Sequence, residues 1–303
     1  MVYDIIIIGG GCSGFGGALY AGRFKMKTLV FTGELLGGLI TWTDDVSNYP
    51  GFKKVTGKEL ATALEEHARE YEIEVINESV SAVGKSREIF TILAAGKKYQ
   101  TKTILFATGT KVKKLGVPGE AEFANKGVHY CALCDGYFYR NKTVAVIGGS
   151  DSAAKEALLL TQYANKVYII YRGEKIKPEP VNLVKVENNK KIDVITNTNV
   201  LEIKGEKSVT SVTLDNPYNS NKELRLEGVF VAIGHLPLSQ LAQSLGVTVN
   251  AKGEIMINRK AETNIPGVFA AGDVVDTSFK QAITGVAEAV TGVNSAYEFL
   301  QGD

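Results

Sequence analysis

One pattern of apolar and polar positions occurs twice along the 303 residues. Ile5, Ile6, Ile7 and Ile8 form an apolar run that breaks into glycines at 9, 10, 11 and 14 and resumes with Phe15, Ala18 and Leu19. Residues 143–158 repeat the pattern: Val144 to Ile147, then Gly148 and Gly149, then Ala153, Ala154, Ala157 and Leu158. Each reads as a buried strand, a tight turn and the start of a helix. A second β-like run follows each, at 27–32 and 166–171. Strand, helix, strand in that order predicts a right-handed parallel unit.

A second echo extends the duplication. Residues 103–109 and 228–234 are apolar runs ending in a small residue and glycine, and β-like segments such as 209–214 lie between each fingerprint and its echo. The chain then resumes with 268–273 and a long amphipathic C-terminal helix. The expected architecture is α/β, with two Rossmann-like dinucleotide-binding domains, each a three-layer ββα unit. The second is inserted into the first. The domains are expected at 1–114 with 241–303, and at 115–240. The crossings fall near 112–118 and 236–243, where Pro118 and Pro237 are punctuation.

Composition narrows the function classes. The net charge of +1 and 45% hydrophobic residues point to a globular protein without a nucleic-acid or membrane partner. The 32 glycines cluster in short loops after apolar runs, as α/β turns require. No run approaches the length of about 20 residues that a membrane helix needs. The first residues lack the basic segment and long apolar core of a secretory signal. Three cysteines, two of them in one pair, do not make a secreted disulfide framework. A cytoplasmic protein is expected.

Gly9, Gly11 and Gly14, with Ser13 between them, fit G-x-G-x-x-G after a strand. The first glycine permits the turn, the second lets backbone approach a pyrophosphate, and the third lets helix pack on strand. The helix N-terminus offers free N–H groups to the phosphates. Glu34 stands 20 positions beyond Gly14, where an acid binds a ribose hydroxyl. Cys12 reads as a packing residue. In the second loop, Gly148, Gly149, Ser150, Asp151, Ser152 and Ala153, a serine replaces the second glycine. Its Cβ crowds the approach, although its hydroxyl can bond a phosphate. Arg172 and Lys177 beyond the next strand suit a ribose 2′-phosphate, hence NADPH, while Glu174 lies where an acid would select NADH.

Cys131-Ala-Leu-Cys134-Asp135 lies between the first fingerprint and the second. A structural zinc site needs four ligands, and the only other thiol is Cys12, with histidines just at 67, 129 and 235. Redox cycling is the stronger reading. A helix start lets the two sulfurs meet and favours thiolate. Asp135 is placed to supply or accept the proton that exchange requires, or else simply complements the helix dipole.

Together, Gly9-x-Gly11-x-x-Gly14, Gly37-Gly38, 48–51 (Asn-Tyr-Pro-Gly), 107–109 (Ala-Thr-Gly), Cys131-x-x-Cys134-Asp135-Gly136, Gly148-Gly149, 232–235, 263–273 and 280–283 resemble the low-molecular-weight thioredoxin reductases over essentially the whole chain. The resemblance implies FAD in the first domain, a pyridine nucleotide (NADPH or NADH) in the second, a homodimer with a mobile hinge, and thioredoxin as partner. It implies that Cys134 takes electrons from the flavin, Cys131 exchanges with thioredoxin, and Asp135 is the acid/base. Asp273, after Gly272, binds the phosphate–ribityl region. Lys280, Gln281 and Ala282 lie along the flavin, with Gly38, Leu39, Asn48, Thr108 and Gly109 also at the cofactor.

Three departures stand out. Leu39 occupies the place of a polar flavin contact, the basic cluster is thinned to Arg172 and Lys177, and Ser150 replaces a glycine. A ferredoxin-driven reductase, an oxidase of small dithiols using oxygen and a redox-sensing flavoprotein remain alternatives. Flavin bleaching by nicotinamides, oxygen consumption and disulfide-dependent binding respectively separate them.

Overall fold

The computed structural model describes residues 1–43 and 46–302. They divide into two compact units, Met1–Lys111 with Leu236–Asp303, and Val112–His235. The first unit begins β1 (Val2–Ile8), α1 (Cys12–Arg23), β2 (Thr28–Phe31), α2 (Gly57–Arg69) and β3 (Ile73–Ile76). A meander follows, β4 (Val80–Ser86), β5 (Ile89–Ala94) and β6 (Lys97–Phe106), and β7 (Thr110–Val112) leads out. The second unit holds β8 (Val128–His129), α3 (Ala132–Asp135), β9 (Thr143–Ile147), α4 (Asp151–Leu160), β10 (Lys166–Ile170), α5 (Pro180–Glu187) and β11 (Ile192–Ile195). It ends with β12 (Val200–Gly205), β13 (Val209–Tyr218), β14 (Asn221–Arg225) and β15 (Gly228–Val231). β16 (His235–Pro237) leads back to α6 (Gln240–Ser244), β17 (Val268–Ala270) and α7 (Ala282–Gln301).

In the first unit β3, β2, β1, β6 and β17 pair in parallel, with β1 central. β6 serves two layers. Residues 97–101 pair antiparallel with β5, whereas Ile104, Leu105 and Phe106 pair with both β1 and β17. Side chains on a strand alternate faces, and β1 shows the consequence. Ile5 and Ile7 pack with Phe15 and Ala18 of α1 and Val293 of α7. Ile6 and Ile8 pack with Phe90 and Ile92 of the meander. An uninterrupted apolar run is what a strand covered on both faces needs.

The second unit repeats the plan, with parallel strands ordered β11-β10-β9-β15-β8 and an antiparallel sheet of β12, β13 and β14. Val144 and Val146 face α4, and Ala145 and Ile147 face the antiparallel sheet. The echoing runs are thus β6 and β15, each beside its fingerprint strand.

Against the expected crossings, the division comes earlier, at 111/112 and 235/236. β7 and β16 pair there as a two-stranded ribbon. Pro237 closes β16, whereas Pro118 lies inside the second unit, its carbonyl accepting from the Ile203 N–H. No helix among the described residues is long and apolar enough to cross a membrane.

Candidate active site

The first glycine loop is shaped by close backbone approach. Gly9 has φ +125°, and a Cβ there would stand 2.0 Å from the Ala107 carbonyl oxygen. A Cβ on Gly14 would stand 1.8 Å from the Gly9 oxygen. Gly11 is the N-cap of α1 and offers no side-chain cap, so the first-turn N–H groups stay available. A Cβ on Gly11 would enter the space beside Gly37, which bridges back to it, and Gly38. This bare, dipole-positive helix start, with a cradle that a side chain would fill, fits a dinucleotide pyrophosphate.

Several expected contacts gather around that loop. Ser13 lies against Gly272 and Gly285, where a Cβ would meet its Oγ at 2.4 Å. The Gly272 N–H donates to Glu288 Oε2 (2.9 Å), and the Thr277 hydroxyl donates to Glu288 Oε1. Lys280 Nζ donates to the Asp273 carbonyl (2.8 Å) and to Glu254 Oε1 (2.6 Å). Asn48 donates to Gln281 Oε1 (3.0 Å), and Gln281 precedes Ala282 at the start of α7. Leu39 opens a short 3-10 turn capped by Gly38. The Thr108 hydroxyl donates to the Leu238 carbonyl, and the Leu238 N–H donates to Gly109. Glu34 is exposed, three residues past β2. Burial pushes the Cys12 thiol up to about 12, and the charge of Asp273 adds to the rise. That suits a packing residue better than a redox thiol.

The second loop differs at its helix start. At Gly148, φ +149°, a Cβ would stand 2.2 Å from the Ala232 carbonyl oxygen, the counterpart of Gly9 against Ala107. Here, however, the N-cap is Ser150, whose Oγ accepts from the Ala153 N–H at 3.5 Å. The Lys177 N–H donates to the Gly149 carbonyl (2.7 Å), and the Tyr171 ring lies against Gly149. Asp151 accepts from the Glu179 N–H and from Asn182 (both 2.8 Å) and pairs with Lys155. Burial alone would raise its pKa, but those partners outweigh it and hold the carboxyl below its usual range. Ser152, Arg172 and Lys177 are exposed.

Cys131 and Cys134 are joined as a disulfide. Cys131 is the N-cap of the one-turn helix α3, and its Sγ accepts from the Cys134 N–H (3.1 Å). Cys131 is buried and Cys134 exposed. Just before the pair, Glu120 accepts from the Leu115 and Gly116 N–H groups (2.7 and 2.6 Å) and from the Tyr130 hydroxyl (2.9 Å), fixing the approach. Asp135 Oδ2 lies 2.9 Å from His129 Nδ1, at ion-pair distance but off the axis of the ring N–H. His129 Nε2 lies 2.7 Å from the Tyr139 hydroxyl. Burial, with the charges of Asp135 and Glu227, pushes that hydroxyl up to about 12.

Sequence reasoning missed Glu254, Glu288, Glu120, His129 and Tyr139. Glu254 and Glu288 reach Lys280, Gly272 and Thr277 well along the chain, and Glu120 gathers Leu115, Gly116 and Tyr130 in a loop that carries no period, so local spacing reveals none of the three. His129, two residues before Cys131, was the one visible signal.

Comparison with known proteins agrees with this geometry. A family profile described as pyridine nucleotide-disulphide oxidoreductase matches residues 3–289. The chain is 37% identical over 302 residues to the thioredoxin reductase of Bacillus subtilis, covering 99% of this chain and 95% of that one. It is 38% identical over 302 residues to the thioredoxin reductase of Mycolicibacterium smegmatis, covering 99% and 97%. The crystal structure of Lactococcus lactis thioredoxin reductase superposes with a TM-score of 0.95 at 35% identity, covering 99% and 100%. The chain therefore belongs to the pyridine nucleotide-disulphide oxidoreductases and, within them, to the thioredoxin reductases.

Proposed function

We propose that the protein reduces thioredoxin, or a related protein disulfide, through Cys131 and Cys134, with electrons from NADPH or NADH by way of FAD. The observation that carries this reading is the disulfide itself, exposed on its Cys134 side and adjoined by Asp135. Exposed apolar side chains flank it: Leu133 (37%), Tyr137 (61%) and Phe138 (66%). Exposed aromatics beside a reactive pair suit a protein partner better than a small solute.

The first unit's glycine loop, with Gly38, Asp273 and Lys280, would hold FAD, and the second unit's loop, with Arg172 and Lys177, the nucleotide. When bound, the flavin exchanges a nicotinamide hydride for a pair of electrons delivered to a disulfide. The chain's residues account for the rest. Opening the disulfide takes two electrons and two protons and leaves two thiols. The Cys134 N–H aimed at the Cys131 sulfur stabilises negative charge there, which favours Cys131 as the thiolate that attacks the partner. Its sulfur bonds to one sulfur of the partner disulfide, and the other leaves as thiolate. Cys134 then displaces the partner and restores the internal bond. Asp135 gives and takes the accompanying protons. Because Cys131 is the buried sulfur, the attack requires the motif to open once reduced.

The test is thioredoxin reduction by the FAD-loaded protein with each nicotinamide. Cys134→Ser is expected to abolish turnover while leaving Cys131 able to trap a single-cysteine thioredoxin whose thiol carries a disulfide-linked thionitrobenzoate, the Cys131 sulfur bonding to the thioredoxin sulfur as thionitrobenzoate leaves. Turnover retained in Cys134→Ser refutes the route. The reading extends to a homodimer in the cytoplasm, which the family resemblance supports and light scattering tests for assembly.

One observation favours a second reading. Ser150 Oγ takes a helix N–H that a pyrophosphate would otherwise use, which suits an electron donor other than a nucleotide, such as ferredoxin. Anaerobic titration decides, since slow flavin bleaching by both NADPH and NADH would select it.

A further inference from the structure

His129 belongs to no motif used above, yet its ring lies between Asp135 and Tyr139 beside the disulfide, with Nδ1 at ion-pair distance from the carboxylate and outside hydrogen-bond geometry. It is 7% exposed and stacked on Phe230 of β15 at 5.3 Å. One nitrogen faces Asp135 and the other the Tyr139 hydroxyl. A phenol donating to Nε2 leaves the ring proton on Nδ1, toward the carboxylate, an assignment that follows from the partners. His129 and Tyr139 also line an open cavity of about 370 Å³, together with Lys126, Lys142 and Glu227. Asp135, His129 and Tyr139 therefore follow one another from the residue after Cys134 to the cavity, with one hydrogen bond, His129 to Tyr139, and one off-axis ion-pair contact, Nδ1 to Oδ2. The charged neighbours bear on Tyr139: Lys142 Nζ lies 5.4 Å from the ring centroid, and Glu227 acts on the hydroxyl. The imidazole itself meets Asp135, Tyr139 and Phe230.

Resting on the reading of Asp135 as the acid of disulfide exchange, we propose that His129 is its positioning residue, tethering the carboxylate and, with Tyr139, returning a proton to it from the cavity. The transfers balance. A cysteine thiolate takes the Asp135 proton and becomes a thiol. The carboxylate takes the proton from Nδ1, Nε2 takes the Tyr139 hydroxyl proton, and Tyr139 takes one from cavity water. No electrons move. When Asp135 removes a proton from the attacking thiol, the sequence runs backwards and restores the first tautomer. The off-axis contact between Nδ1 and Oδ2 leaves the carboxylate able to turn toward sulfur.

The experiment measures the pH profile of thioredoxin reduction by the FAD-loaded full chain. Nucleotide-driven ferricyanide reduction, which needs no disulfide, reports an intact flavin site. His129→Asn keeps a donor for Asp135 but cannot relay. It is expected to lose about tenfold or more in thioredoxin reduction and to change the pH profile. Tyr139→Phe should change the profile in the same way. On an Asp135→Asn background, His129→Asn should cost no further factor. Wild-type pH profiles in both single variants, or multiplying losses on that background, overturn the proposal. If His129→Asn loses its flavin, Tyr139→Phe decides alone. If the wild type reduces no thioredoxin, the functional reading falls, and the same comparisons on a small aromatic disulfide still decide the role of His129.

Discussion

At the scale of single residues, Ser150 separates two loops that otherwise copy one another. Gly11 leaves its helix start bare, whereas Ser150 caps its own. Ser150→Gly should lower the KM of the electron-donating nucleotide by roughly three- to tenfold in steady-state flavin reduction, about 1 kcal/mol, with kcat little changed. The fold should lose only a few tenths of a kcal/mol, as is usual when glycine replaces a serine cap. Glu156 on α4 makes a different point. Burial raises its carboxyl from 4.5 to about 8, and its Oε2 has no partner among the described residues. The folded chain keeps a proton that the unfolded chain releases, so stability falls as pH rises from 4.5 toward 8 and levels off above. Glu156→Gln should flatten that slope, gaining about 2 kcal/mol over wild type near pH 7 in denaturant melts, an order of magnitude set by the energy per pKa unit. Neither the pKa of Glu156 nor the engagement of His129 could be read from sequence, because both depend on which neighbours the fold supplies. The fingerprint glycines could, because their spacing after an apolar strand marks the turn into a helix before any of their neighbours is known.

At the scale of elements, α1 and α7 meet across glycine. A Cβ on Gly16 would lie 2.9 Å from Val286 Cγ1, and one on Gly17 2.9 Å from Leu105 and 3.3 Å from Val293. A branched valine has little rotamer freedom with which to yield. Gly16→Val should therefore push the helices apart at a cost of about 1–3 kcal/mol, seen as a lower thermal midpoint and a weaker hold on flavin in ultrafiltration. The strands that carry long apolar runs, β1, β6, β9 and β15, were legible because burial on both faces leaves a run without polar interruption. The short elements β7, β8, β16 and α3 were not. They have two to four residues each, too few for any period to show, and tertiary pairing holds them. So the disulfide was evident from its spacing, while the strand that delivers His129 beside it was not.

At the scale of the whole molecule, the duplication was legible because both copies keep the same order of strand, turn and helix. The borders were less so. Prolines mark where a chain turns, but the division follows the ribbon of β7 and β16, which no local signal announces. That ribbon has a consequence for surgery on the gene. The Lys113 N–H donates to Gly234 and the Leu238 N–H to Gly109, so the chain departs and returns at neighbouring points, about one strand spacing (roughly 5 Å) apart. Joining Lys111 to Leu236 through a two-residue turn should give a smaller yellow protein that still retains flavin through dialysis. The excised piece, 112–235, should be equally tolerant of new ends cut elsewhere once its own are tied together. A fold that hosts a guest through so narrow a doorway can be emptied, refilled or rewired without redesigning either room.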